Sequence, residues 1–259
     1  MATFLFKDII VGPVQSRRLG TSLGVNLLPR NRKICSFNCA YCECGFNSPK
    51  KTIVENFPDI SEVVKCLEQK LKDISEKGEK LDFITFAGNG EPTLHPSFAH
   101  IIDETIRLRD AIYPSARVAV LSNGTRIDIP NVFAALQKVD YNIQKIDSAI
   151  PETIYILNSP CSFFELERTL YFLKNFSGKV ILQTLLLKGN INRFHIDNTT
   201  ETEVDALINL YKKVSPRFVM LYTLARDTPV ETLEKIAPQQ MDQIAEKLKK
   251  NDIEVQVTY

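Results

Sequence analysis

Apolar runs alternate with helix-period segments from one end of this chain to the other, and that alternation constrains its fold more than any other feature. The candidate strands are Leu23–Leu28, Leu81–Ala87, Val118–Leu121, Tyr141–Ser148, Val180–Leu187, Phe218–Tyr222 and Ile253–Val257. Several are rich in Val, Ile, Leu and Phe with little alternation, as expected of strands covered on both faces. Between them, Val63, Leu67, Leu71 and Ile74 form one helical stripe; Val204, Leu207, Ile208, Tyr211 and Val214 form a second; Met241, Ile244, Ala245 and Leu248 form a third. Ser97 precedes a helix over Phe98–Ile112, and Pro130 and Pro238 sit at or near helix openings. Strand–helix–strand units repeated about six times predict a parallel sheet with right-handed crossovers.

Two closures suit such a sheet: an open doubly wound layer, or a full or partial barrel. A complete eight-unit barrel takes about 250 residues. Six units and a terminal strand within 259 residues favour an α/β partial barrel, a (β/α)6 TIM-like arrangement. No low-complexity tract, internal repeat or Gly/Ser linker divides the sequence, so residues 1–259 read as one domain. No apolar run reaches the roughly 18 residues of a membrane span. The opening residues lack a secretion signal, so a cytoplasmic protein is expected.

Either closure places the site at the carboxyl ends of the strands. The loops to read closely are therefore the one after Leu28 and those at Gly88–Pro96, Ser122–Thr125, Asp147–Ile150, Lys188–Asn192 and Thr223–Pro229. The first holds Cys35, Cys39, Cys42 and Cys44, four of the six cysteines. A disulfide framework would spread them out, so metal or redox chemistry is the better reading. The spacing Cys35-x3-Cys39-x2-Cys42 suits three corners of a cubane iron–sulfur cluster. The fourth iron is then open, the mark of a catalytic metal. The alternative is a tetrahedral zinc site using Cys44 as well, although no second cysteine knuckle exists to complete the usual pattern. Cys66 and Cys161 stand apart and read as passengers. Residues 1–51 carry eight Lys and Arg against Asp8 and Glu43, a net +6 in a chain of net +1. That basic segment suits an anionic ligand or partner, or simply offsets the thiolates.

Cys35-x3-Cys39-x2-Cys42, with Tyr41 before the last cysteine, resembles the signature of the radical S-adenosylmethionine (SAM) superfamily. The resemblance implies a radical SAM type of partial barrel, with a 4Fe–4S cluster on Cys35, Cys39 and Cys42 and SAM on the open iron. Reductive cleavage would give a 5′-deoxyadenosyl radical that abstracts hydrogen from a substrate. A reductase such as flavodoxin or ferredoxin would supply the electron. Gly88-Asn89-Gly90-Glu91 resembles the family's glycine–glycine–glutamate motif, with Asn89 in place of its first glycine. Its carbonyls and Glu91 would then accept from the SAM ammonium, and Gly90 would let backbone approach the ligand closely. Ser122-Asn123-Gly124-Thr125 is similar to the family's Thr/Ser-Asn-Gly loop facing SAM; a plain Asx turn is the alternative. Asp147-Ser148 resembles the family's Ser-Leu-Asp-Ala segment, where Asp147 would meet a ribose hydroxyl or the substrate. Gln183, alone within an apolar run, needs polar partners and would reach the cofactor or a neighbouring strand.

The stretch Gly12-Pro13-Val14-Gln15-Ser16-Arg17-Arg18-Leu19-Gly20 resembles a bacterial group related to wyosine (imidazoguanosine) tRNA-modifying radical SAM enzymes. Two departures stand out: Asn158-Ser159-Pro160 where Asn-Arg-Pro is expected, and Asp227 and Thr228 between Arg226 and Pro229. Both are expected where substrate enters, so the substrate does not transfer. The leading reading is a radical SAM enzyme acting on an unidentified substrate, with RNA favoured by the resemblance and the basic segment, and with Arg17 and Arg18 gripping phosphate or forming ordinary ion pairs. The alternatives are an activase that installs a radical on a protein partner, and a non-enzymatic iron–sulfur or zinc module that binds nucleic acid.

Overall fold

The computed structural model describes residues 4–48 and 56–259; Lys50 and Lys51 of the basic segment lie outside them. The strands are β1 (Ile10–Ser16), β2 (Gly20–Val25), β3 (Phe83–Phe86), β4 (Arg117–Ser122), β5 (Tyr141–Lys145), β6 (Val180–Ile191), β7 (Phe194–Asp197), β8 (Phe218–Thr223), β9 (Leu233–Lys235) and β10 (Val255–Thr258). The helices are α1 (Ile60–Glu76), α2 (Phe98–Ile112), α3 (Pro130–Lys138), α4 (Pro151–Leu157), α5 (Leu166–Lys174), α6 (Glu201–Val214) and α7 (Pro238–Lys249).

The main sheet runs β1-β2-β3-β4-β5-β6-β8-β10. Every neighbouring pair from β2 onward is parallel. Strand order follows chain order without reversal, so no topological switch point exists and the doubly wound alternative falls. β1 and β10 end the path and, among the described residues, do not pair with each other, which leaves a curled half-barrel. Its open seam is bridged from the β1–β2 turn: Arg17 Nη1 donates to the Tyr259 carbonyl (3.0 Å), and Gln256 Nε2 to the Arg18 carbonyl (3.4 Å).

Strand periodicity sorts the side chains onto two buried faces. Leu23, Val25, Ile84, Phe86, Val118, Val120, Leu182 and Val219 point outward into one core with the buried stripes of the helices. Phe83, Ala119, Ile143, Ile181, Phe218 and Met220 point inward and fill the barrel floor. Burial on both faces explains why the strands show so little hydrophobic alternation.

Several boundaries differ from expectation, each for a local reason. β2 stops at Val25 because the Asn26 side chain turns back on Leu28, accepting from its N–H (3.2 Å) and donating to its carbonyl (3.1 Å). β5 ends at Lys145, so Asp147 and Ser148 sit in the loop beyond it. β6 continues through Ile191 and pairs with β7, so Lys188–Asn192 is strand and hairpin rather than a mouth loop. β1, unforeseen, is an antiparallel edge strand whose register shifts between Val11 and Val14, around Gly12-Pro13; a proline within an apolar run is tolerated at such an edge. Ser97 makes no side-chain cap on α2. His95 Nδ1 instead accepts from the Ser97 N–H at 3.1 Å.

Candidate active site

A cavity of about 460 Å³ opens at the carboxyl ends of the parallel strands, and Cys35, Cys39, Cys42 and Cys44 all line it. The cysteine loop is held there by backbone. Ile34 N–H donates to Asn89 O (2.9 Å) and Glu91 N–H to Ile34 O (3.0 Å). On the other side Ala40 N–H donates to Leu157 O (2.9 Å), and Cys161 N–H to Ser36 O (2.9 Å). Asn47 clamps Cys35, accepting from its N–H (3.0 Å) and donating to its carbonyl (2.9 Å).

These contacts revise two expectations. Gly90, at φ +139°, is needed by the cysteine loop itself, since a Cβ there would lie 1.8 Å from Ile34 O. Asn89 is fully buried and its side chain is spent on structure: it accepts from Phe6 N–H (2.8 Å) and donates to Phe6 O and Pro29 O (2.9 Å each). Only its carbonyl remains, and that accepts from Ile34. Cys161, read as a passenger, lies beside the loop, with Asn47 Nδ2 3.2 Å from its sulfur. Cys66 lies exposed on α1.

The thiols differ in environment. Burial pushes the Cys35 and Cys39 thiols up. Cys42 is lowered to about 5, first by the Cys44 thiol donating to it and then by Lys33. Cys44 is correspondingly raised, and its sulfur approaches Gly88 O at 3.5 Å. Lys33, only 4% exposed, donates to Gly45 O at 2.9 Å. Burial would lower its pKa, but Cys42, Cys35 and Cys39 together raise it. Lys33 is therefore the built-in countercharge of the cysteine loop. Among the described residues no three His, Cys, Asp or Glu side chains gather around one ion-sized point. Cys35, Cys39 and Cys42 line one cavity from one short loop, a donor set whose chemistry suits the three ligated corners of a cubane.

Glu91 is 2% exposed and lines the same cavity. Its carboxylate accepts from Thr93 N–H (3.1 Å), Thr93 hydroxyl (2.6 Å) and Asn123 N–H (2.7 Å). Burial raises its pKa against those hydrogen bonds, and among the described residues it forms no ion pair. A buried carboxylate that lines a cavity and has no ion-pair partner among the described residues is suited to an incoming ammonium. Asn123 Nδ2 reaches Ser36 Oγ (2.9 Å) and Cys35 Sγ (3.5 Å), which ties the third-strand loop to the first cysteine. Gly88, Ser122 and Gln183 also line the cavity.

Asp147 and Ser148 do not line it; both support it from beneath. Ser148 donates to Glu203 at 2.6 Å. Asp147, 1% exposed, accepts from the Tyr41 hydroxyl, Lys145 Nζ (2.9 Å), Leu185 N–H (3.0 Å) and Asn158 Nδ2 (2.7 Å). Asn158 Nδ2 also stands 3.5 Å from Cys39 Sγ. Asn158, expected at the substrate entrance, instead braces the cluster loop. Lys145 lies 4.4 Å above the Tyr41 ring. Burial would lower its pKa, but Asp147, Tyr222 and Cys39 together raise it. Across the mouth, Arg226 pairs with Glu43 at 2.5 Å. Lys33, Asn47 and Lys145 were singled out by no motif, and Asn158 was read as a substrate-entrance residue, so their parts in the site emerge only from the fold.

The sequence profile of the Radical SAM superfamily matches residues 33–198. A UPF0026 protein of Helicobacter pylori is 30% identical over 221 residues, covering 84% of this chain and 67% of that protein. A protein named GTPase Obg from Brachyspira hyodysenteriae is 28% identical over 253 residues, 96% of this chain; this chain spans only 35% of its length. The crystal structure of a radical SAM methyltransferase from Sphaerobacter thermophilus superposes with a TM-score of 0.65 at 14% identity, over 92% of this chain and 66% of that one. That likeness extends to the curled α/β half-barrel. Among the described residues no helix is long and apolar enough to cross a membrane.

Proposed function

This chain belongs to the radical SAM superfamily, and on that premise we propose that it is an enzyme that cleaves SAM reductively to abstract a hydrogen atom from a substrate bound in the same cavity. The family's cofactors are a 4Fe–4S cluster and SAM. When bound, they supply one-electron cleavage of the C5′–S bond, which yields methionine and a 5′-deoxyadenosyl radical. Cys35, Cys39 and Cys42 would hold the cluster. Cys44 donates to Cys42 and leaves the fourth iron to SAM. Lys33 balances the thiolate charge, and Glu91 receives the SAM ammonium. Gln183, Ser122 and the backbone of Gly88 and Gly90 line the remaining wall. An RNA substrate, in keeping with the wyosine-like opening residues, and electron supply from a flavodoxin or ferredoxin complete the reading.

The observation that carries it is the pairing, in one cavity, of three loop cysteines with a buried, cation-free carboxylate. The test is release of 5′-deoxyadenosine from SAM by the reconstituted, dithionite-reduced protein. Wild type releases it. Glu91→Gln keeps its iron but binds SAM about tenfold or more weakly, the scale of one charge-assisted hydrogen bond. A reconstituted wild type that leaves SAM intact contradicts the reading.

A further inference from the structure

We propose that Arg18 anchors an oxyanion of the substrate, a carboxylate or a phosphate, at the inner wall of the cavity. This deepens the reading above and rests on it. Arg18 lies in the β1–β2 turn, where Ser16 Oγ accepts from its backbone N–H (3.3 Å) and from Leu19 N–H (3.2 Å). From that turn its side chain enters the barrel and lines both the main cavity and an adjoining 170 Å³ pocket floored by Leu19, Ile143 and Met220.

Two observations single it out. Its Nη1 is buried with no hydrogen-bond partner, an arrangement that is costly for a charged donor until an acceptor meets it. Its guanidinium carbon lies 4.5 Å from the centroid of the Tyr222 ring. Such stacking fixes the guanidinium plane and leaves its edge free for a two-pronged grip on an oxyanion. The other cations of the cavity are already matched: Lys145 by Asp147 at 2.9 Å, Arg226 by Glu43 at 2.5 Å, and Lys33 by Gly45 O at 2.9 Å and the thiols. Arg17, its sequence neighbour, is committed to the Tyr259 carbonyl. Arg18 comes from the β1–β2 turn and rests on β8, whereas Glu91 comes from the loop after β3, Ser122 ends β4 and Asn123 opens the loop beyond it. A substrate anion held by Arg18 would therefore place the rest of the substrate between that wall and the SAM residues.

The experiment is anaerobic calorimetric titration of reconstituted, SAM-saturated protein with inorganic phosphate and, separately, acetate, alongside a SAM titration of each variant. Wild type is expected to bind at least one anion saturably, and the tighter of the two identifies the group. Arg18→Gln should weaken that binding about tenfold or more, and Arg18→Lys by less, because it keeps the charge and loses the fork. SAM affinity should change by less than about threefold, half the logarithmic step of 1.4 kcal/mol being the margin. Wild type that binds SAM but neither anion, or anion binding unchanged in Arg18→Gln, overturns the proposal alone. A parallel loss of SAM affinity also overturns it, since Arg18 would then hold SAM itself. Wild type that fails to bind SAM overturns the cofactor reading and the proposal with it.

Discussion

The side-chain amide of Asn158 donates to the Asp147 carboxylate across 2.7 Å, and the same nitrogen lies 3.5 Å from Cys39 Sγ. Hydrogen bonds to cluster sulfurs raise the reduction potential by stabilising the added electron. Asn158→Ala is therefore expected to lower the cluster midpoint potential, read by spectroscopically monitored redox titration. It should also cost about 1.5–3 kcal/mol of stability, the scale of a hydrogen bond to a charged group. An unchanged midpoint would confine Asn158 to bracing the loop.

Cys44 and its neighbours make opposite predictions. Cys35→Ala, Cys39→Ala and Cys42→Ala each abolish iron incorporation on anaerobic reconstitution. Cys44→Ala retains close to the wild-type iron content, because its sulfur serves Cys42 and Gly88 O rather than an iron. Equal loss of iron in Cys44→Ala, measured colorimetrically, would make it a ligand and close the fourth position.

Gly90→Ala drives a methyl group to 1.8 Å from Ile34 O. The cysteine loop must then detach from the loop after β3, because both partners at that contact are backbone. Destabilisation exceeding about 1 kcal/mol, together with poor iron uptake, is expected. Thermal melting and iron analysis check it; a stable, fully loaded variant contradicts the contact.

His95 gives a pH signature remote from the cluster. Its Nε2 meets Pro58 O at 2.9 Å, its Nδ1 accepts from Ser97 N–H, and burial lowers its pKa from the ordinary 6.5. The unfolded chain thus takes up the proton at a higher pH than the folded one does. Stability is complete above pH 6.5 and falls as pH drops below it. Urea midpoints measured across that range should show the fall, and His95→Gln should flatten it.

Much of this site was legible because its chemistry sits in spaced motifs. The Cys35–Cys42 run stood out by its spacing and Glu91 by its resemblance to the family's glycine–glycine–glutamate motif, and the seven parallel strands were placed by apolar runs, several of them rich in Val, Ile, Leu and Phe. What escaped were residues whose meaning depends on distant partners. Asn89 looks like a ligand-facing loop residue, yet its amide joins Phe6 and Pro29, far off in sequence. Asp147 looks like a mouth carboxylate but ends beneath Tyr41. Lys33 and Lys145 resemble any polar residue until the barrel brings them against sulfur or carboxylate, and Asn158, read as an entrance residue, turns out to meet both. β1 was hidden by Gly12-Pro13, which an edge strand accepts and an interior strand does not.

The account stands on an open iron at which SAM binds through its own amino group. Electron–nuclear double resonance on the reduced, reconstituted protein with SAM carrying 15N at that position measures it directly. A resolved 15N hyperfine coupling is the predicted result. A spectrum without that coupling, from protein shown by calorimetry to have SAM bound, would contradict it.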